Sequence, residues 1–143
     1  MEKPSTPCPD LQRFLDAQDP IFDQVLAELK AGSKRSHWMW FIFPQMRGLG
    51  HSAMAQFYGI ASRAEARAYL DHPVLGPRLG SCTRMVNGHT SLTARQIFGQ
   101  PDDVKFRSCM TLFAAVAADK TDFRTALDLF FDGKPDQLSL DLL

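Results

Sequence analysis

The chain has 143 residues and a mass of 16.0 kDa; 45% of its residues are hydrophobic, 22% are charged, and 16 basic side chains stand against 16 acidic ones. A chain this long buries roughly 70% of the surface its unfolded form exposes, so an ordinary apolar core suffices without metal or disulfide staples. Net neutrality argues against wholesale nucleic-acid binding, which rests on a surplus of Lys and Arg, and no apolar run approaches the ~20 residues of a membrane span.

Residues 1–9 hold Pro4, Pro7 and Pro9 with few large apolar groups, which predicts a loose tail lacking the apolar stretch of a signal peptide. The folded part is expected from Asp10 onward. Leu11, Phe14 and Leu15 recur at helical spacing, and Asp19-Pro20 predicts the start of a helix carrying Ile21, Phe22, Val25, Leu26 and Leu29, closed by Gly32. The run His37-Trp38-Met39-Trp40-Phe41-Ile42-Phe43-Pro44 is apolar on every face, and periodicity leaves open a buried strand or a short buried helix. Gly48, Gly50 and Ser52 then form a loop leading into a helix through Met54, Phe57 and Ile60. Ser62 predicts the cap of a helix over 63–71, which Pro73, Gly76 and Pro77 interrupt before another through Leu79, Cys82, Met85 and Val86, ended by Asn87-Gly88.

Thr93 predicts the cap of a short turn through Ile97. Asp102 is read as the cap of a helix with Phe106, Met110, Phe113 and Val116 along one face, and Thr121 as the cap of another through Phe123, Leu127, Phe130 and Phe131. A last segment, Leu138–Leu143, is expected to dock back on the core. No period-2 strand of useful length and no internal repeat is present. The expectation is therefore one all-α domain over 10–143, a bundle of six to eight helices, some of them short. Cys8, Cys82 and Cys109 are scattered and odd in number, which fits a reducing compartment, the cytoplasm, better than a secreted disulfide scaffold.

Net zero hides a segregation of charge. Residues 1–28 hold six acids against two bases, residues 29–101 nine bases against Glu65 and Asp71, and residues 102–143 eight acids against five bases, for balances of minus four, plus seven and minus three. Two readings compete: the basic middle lines a cleft for an anionic small molecule, or the acidic ends pack across it and neutralise it at the surface.

The residues with chemistry to offer cluster in that middle. Gln45-Met46-Arg47-Gly48-Leu49-Gly50-His51-Ser52 joins the aromatic block to a helix start, where glycines let a ligand approach the backbone and Arg47 and Ser52 would complete an anion cradle. Trp38, Trp40 and Phe43 offer stacking faces, and Lys105 a second cation. His37, beside Lys34 and Arg35, is a candidate proton-handling residue, against the commoner reading of a buried structural histidine, and Asp102 is a candidate catalytic carboxylate, against the commoner reading of a helix cap. Neither HExxH nor a Cys/His ligand spacing is present, so no metal and no cofactor is implied.

The strings LQRFLDAQ, SHWMWFIFPQMRGLGHS, AYLDHPVLGPRL and IFGQPDDVKFRSCMTLF, with the ending Leu138–Leu143, together resemble one bacterial family, the domain of unknown function 1810, from about Asp10 to the C-terminus. The resemblance implies a small all-α protein and carries no established activity. Some members bear the label calpastatin, which does not fit: that inhibitor is a disordered chain, whereas the aromatic and aliphatic content here demands a core. The stretch DVKFRSCMTLFAAVAADKTDFRTAL is also similar to the closing part of NADAR-type N-glycosidases, which implies a ligand class of ADP-ribose-linked or phosphoribosyl molecules. The expectation is binding of a phosphorylated, nucleotide-like ligand of the ADP-ribose or NAD type, with N-glycosidase-type hydrolysis as its enzymatic form. The alternative is a non-catalytic adaptor whose basic middle meets an acidic protein or a second copy of the chain; single-stranded nucleic acid is a weaker third.

Overall fold

The computed structural model describes residues 11–143, so the expected tail over 1–9, and Cys8 with it, lie outside the described residues. Among the described residues ten helices follow one another: α1 (Gln12–Gln18), α2 (Phe22–Ala31), α3 (Met39–Ile42), α4 (Ala53–Tyr58), α5 (Arg63–Asp71), α6 (Leu75–Asn87), α7 (Ala94–Phe98), α8 (Asp102–Val116), α9 (Thr121–Phe131) and α10 (Gln137–Leu142). The class is all-α, as expected, but the helices outnumber the predicted six to eight. The surplus comes from α3, α7 and α10, pieces of four to six residues in segments expected as an apolar run of either form, a short turn and a docked end. Among the described residues the only extended pairing is one parallel bridge between Met46 and Ile60. No helix among them is long and apolar enough to cross a membrane.

Local chemistry accounts for most boundaries. Ser52, Ser62 and Thr93 each accept the backbone N–H three residues on, and at α7 Gln96 returns the bond to Thr93 N. Gly32 ends α2 at φ +70°, the left-handed conformation glycine adopts without strain. Three expectations need correction. The prolines do not delay the sixth helix to Leu79: Pro77 sits in the first turn of α6, where its missing N–H has no intrahelical partner to lose. Asp102 and Thr121 are first helical residues, not caps; Pro101 and Lys120 hold the cap positions. The α2 helix starts at Phe22, with Ile21 at its cap rather than Asp19.

The α8 helix is the axis of the molecule. Nine of its fifteen residues are buried, more than one face can supply, because α5, α7, α9 and α10 all pack on it. Its buried hydroxyls are satisfied by the chain after α9: Thr111 Oγ1 accepts from Asp136 N at 2.8 Å, and Ser108 Oγ meets Asp136 Oδ2 at 2.9 Å. The α6 helix packs on α2, α5 and α9, and α3 on α1 and α4.

The start of α6 depends on an imidazole. His72 Nδ1 accepts from Val74 N at 3.1 Å and Leu75 N at 3.2 Å, taking up amides that a helix start leaves free. His72→Ala is expected to lower stability by about 1 kcal/mol, read from the urea midpoint, as loss of a helix cap does. An unchanged midpoint would mean that water serves those amides as well.

Packing answers part of the charge question. Arg78 pairs with Asp19 and Arg84 with Asp122, both at 2.8 Å, so bases of the middle segment do meet acids of the two ends. One further cross-segment contact, Lys34 with Asp102, belongs to a different arrangement.

Candidate functional site

The α3 segment divides the aromatic block between two sides of the molecule. Trp38 is 1% exposed and its indole N–H donates to Glu28 Oε1 at 3.0 Å. The same carboxylate accepts from Arg35 N at 2.7 Å and Ser36 N at 3.0 Å, while Ser36 Oγ (2.7 Å) and Gln24 Nε2 (3.0 Å) bond its second oxygen. Burial pushes the Glu28 carboxyl up, but these hydrogen bonds outweigh it and hold the pKa at about 2. Glu28 thus fixes the turn between α2 and α3, and with it the position of Lys34 and the entry into Met39–Ile42.

On the side facing α4 and α8, Met39, Trp40, Phe43, Gln45, Ala55, Tyr58, Gly59 and Lys105 line a cleft whose enclosed space is about 10 Å³, the room of one water molecule. Phe43 is its floor, 1% exposed, with edge contacts to Phe98 and Phe106. Trp40 is partly exposed, and Lys105 Nζ lies over its ring, 4.9 Å from the centroid. Among the described residues no hydrogen bond engages the indole N–H of Trp40, the amide of Gln45 or the hydroxyl of Tyr58.

Beside this cleft, Asp102 holds two lysines. Lys34 Nζ is 2.8 Å from Oδ2 and Lys105 Nζ 3.4 Å from Oδ1, with side-chain exposures of 8% for Lys34, 19% for Asp102 and 25% for Lys105. Lys34 Nζ also sits 5.2 Å from the centre of the Trp38 ring. Because Asp102 is the first residue of α8, its side chain projects toward the α2–α3 turn instead of folding back over the helix start. Two ammonium groups sharing one carboxylate leave one positive charge uncompensated, partly shielded from water, next to an indole face.

The sequence-predicted residues divide accordingly. Trp40, Phe43, Gln45 and Lys105 meet in the cleft, and Asp102 stands behind Lys105. The Arg47–Ser52 loop does not line the cleft: Arg47 is exposed and reaches Gly59 O at 3.4 Å, Gly48 (φ +105°) faces Leu142 of α10, and Gly50 lies against Ala55, where an added Cβ would come within 2.8 Å. Ser52 Oγ caps the six-residue α4 and is committed to Ala55 N. His37 is exposed and lies apart from these residues, on an apolar hollow of about 370 Å³ with Pro20, Ile21, Trp38 and Phe41. Lys34, Tyr58 and Gly59 are the site residues that sequence reasoning missed. Lys34 had a signal in its neighbourhood to the aromatic block; Tyr58 and Gly59 had none, because the bridge that brings them in pairs Met46 with Ile60 across a loop. No cluster of three His, Cys, Asp or Glu side chains among the described residues is arranged to hold a metal ion. Cys82 and Cys109 are buried, and burial raises both thiols, Cys82 to about 12.

Residues 8–143 match the family described as protein of unknown function (DUF1810), and the chain belongs to that family. A solved structure, that of the conserved hypothetical protein Rv1873 from Mycobacterium tuberculosis, is 50% identical to it. The match covers 94% of this chain and 96% of that one, with a TM-score of 0.92. No curated protein matches the chain.

Proposed function

We propose for this member of the DUF1810 family that the Trp40–Lys105 cleft binds the anionic group of a small molecule whose planar ring lies on Trp40, the nucleotide-like class that includes ADP-ribose and NAD. The observation that carries this reading is the sharing of one carboxylate, Asp102, by Lys34 and Lys105 beside the indole. A surplus cation in a partly shielded setting attracts an anion more strongly than one in open water. Gln45 and Tyr58 supply polar side chains with no competing partner among the described residues. The enclosed space suits an anionic oxygen rather than a whole nucleotide, so the remainder of the ligand lies across the mouth, over Trp40.

The reading is one of binding. Asp102 already has a lysine at each oxygen and His37 belongs to the other hollow, so neither has the open approach to the cleft that a general base requires. The adaptor alternative draws less support, since Arg78 and Arg84 of the basic middle are engaged with Asp19 and Asp122.

Trp38 and Trp40 are the two tryptophans of the chain, and Trp38 is buried, so a change in intrinsic fluorescence on direct ligand contact comes from Trp40. Titration with ADP-ribose or NAD is expected to change that fluorescence in the native protein. Trp40→Phe is expected to abolish the response, and Lys105→Ala to weaken binding at least about tenfold, as loss of a charge-assisted bond does. Equal affinity in the native protein and Lys105→Ala, or no binding in either, would overturn the reading.

A further inference from the structure

We propose that Asp102 sets the charge class of the ligand: the cleft selects a phosphoryl group bearing one negative charge, as in a phosphodiester or a diphosphate linkage, over the doubly charged phosphate of a monoester. The proposal rests on the binding reading above and adds to it a specificity determinant.

The argument is a count of charges in a confined space. Lys34 and Lys105 contact opposite oxygens of Asp102, at 2.8 Å and 3.4 Å, so the three side chains form one cluster with a single surplus positive charge. Indole rings cover part of both ammonium groups, Trp38 that of Lys34 and Trp40 that of Lys105. With side-chain exposures of 8%, 19% and 25%, water screens these charges less than it would on an open surface. A singly charged group brings the cluster to neutrality. A doubly charged one leaves a net negative charge beside Asp102, and like charges a few ångströms apart repel strongly where screening is poor. The enclosed space, about 10 Å³, admits one oxygen of either group, so size does not separate the two and the discrimination falls to charge.

Adenosine 5′-monophosphate and its methyl ester share a nucleoside and differ by one charge at mildly alkaline pH, which makes them the probes of choice. Followed by Trp40 fluorescence, the methyl ester is expected to bind the native protein about tenfold more tightly. Asp102→Asn gives the cluster a second surplus charge and is expected to reverse that order. The double variant Lys34→Gln with Asp102→Asn returns the count to one and is expected to restore the native preference; it also keeps the test decisive if the unpaired Lys34 unfolds the single variant. Equal affinity of the native protein for the two probes, or a preference unmoved by Asp102→Asn, overturns the proposal. Binding that needs Lys105 but ignores ligand charge overturns this proposal alone, whereas absence of binding by the native protein overturns the binding reading with it.

Discussion

Replacing Glu28 by alanine is expected to cost the fold about 3 to 4 kcal/mol, the largest effect of any single polar substitution argued from this structure. The carboxylate is 8% exposed and accepts hydrogen bonds from two backbone amides, an indole, a hydroxyl and a carboxamide. Alanine leaves all five donors without their acceptor, and a buried donor left unmade costs about 1–3 kcal/mol. The Trp38 indole is fully buried and bears that cost in full, whereas Arg35 and Ser36 reach water and bear less. Glu28→Gln keeps an acceptor for Trp38 and the two amides and is expected to lose about half as much. The pH dependence follows from the same bonds. The folded-state pKa, about 2, lies below the ordinary carboxylate value of 4.5, so the contribution of Glu28 is complete above about pH 4.5 and is lost as pH falls toward 2. Urea midpoints measured from neutrality down to about pH 3 should therefore fall more steeply in the native protein than in Glu28→Gln. Parallel curves would show that Glu28 has no special role in acid sensitivity.

That carboxylate also explains why the candidate site was only half legible in the sequence. Some signals that act within a few residues were legible: the caps Ser62 and Thr93 and the terminator Gly32 each work through bonds to their own neighbours. Trp40, Phe43 and Gln45 were legible as one dense stretch. Their separation from His37 was not, because the facing of a four-residue helix is set by where it begins, and that is decided by Glu28 holding Trp38 at its start. The pairing of Lys34 with Asp102 joins residues far apart in the chain and had no local signature. Asp102 itself was misread as a cap since Asp is a good cap in general; with Pro101 in that position, its carboxylate is free to serve the two lysines. The ending at Leu138–Leu143 does dock as α10, through Asp136, Ser139 and a half-buried Leu143, leaving Leu138, Leu140 and Leu142 exposed, because the surface of α8 beneath it presents Ser108 and Thr111.

The second large effect is expected at Arg13 and Glu65, which hold the wall of the cleft from behind. Arg13 Nε donates to Phe57 O at 2.8 Å, and its Nη2 lies 3.2 Å from Gly59 O and 3.3 Å from Glu65 Oε1. The Glu65 oxygen in turn accepts from Ala61 N at 2.8 Å, and the guanidinium rests 4.4 Å from the centre of the Phe14 ring. With side chains 9% and 10% exposed, this pair ties α1 and α5 to the 57–61 strap that carries Tyr58 and Gly59 and bridges to Met46. Removing Arg13 leaves the Glu65 carboxylate without this cation in a poorly screened place, so Arg13→Ala is expected to lose about 3 kcal/mol, and Glu65→Ala, which takes an acceptor from both Arg13 and Ala61 N, is expected to be costly as well. Arg13→Lys should also be costly, since one ammonium cannot serve two carbonyls and a carboxylate in the geometry of a guanidinium. The double alanine variant is expected to lose less than the sum of the single losses, with a coupling of about 1–3 kcal/mol, because the second substitution removes the stranded charge that the first created. Additive losses would mean that the two residues act separately. Since the strap also bears the cleft wall, Arg13→Lys should weaken nucleotide binding while Lys105→Ala leaves the unfolding midpoint nearly unchanged, which separates a residue that shapes the wall from one that meets the ligand.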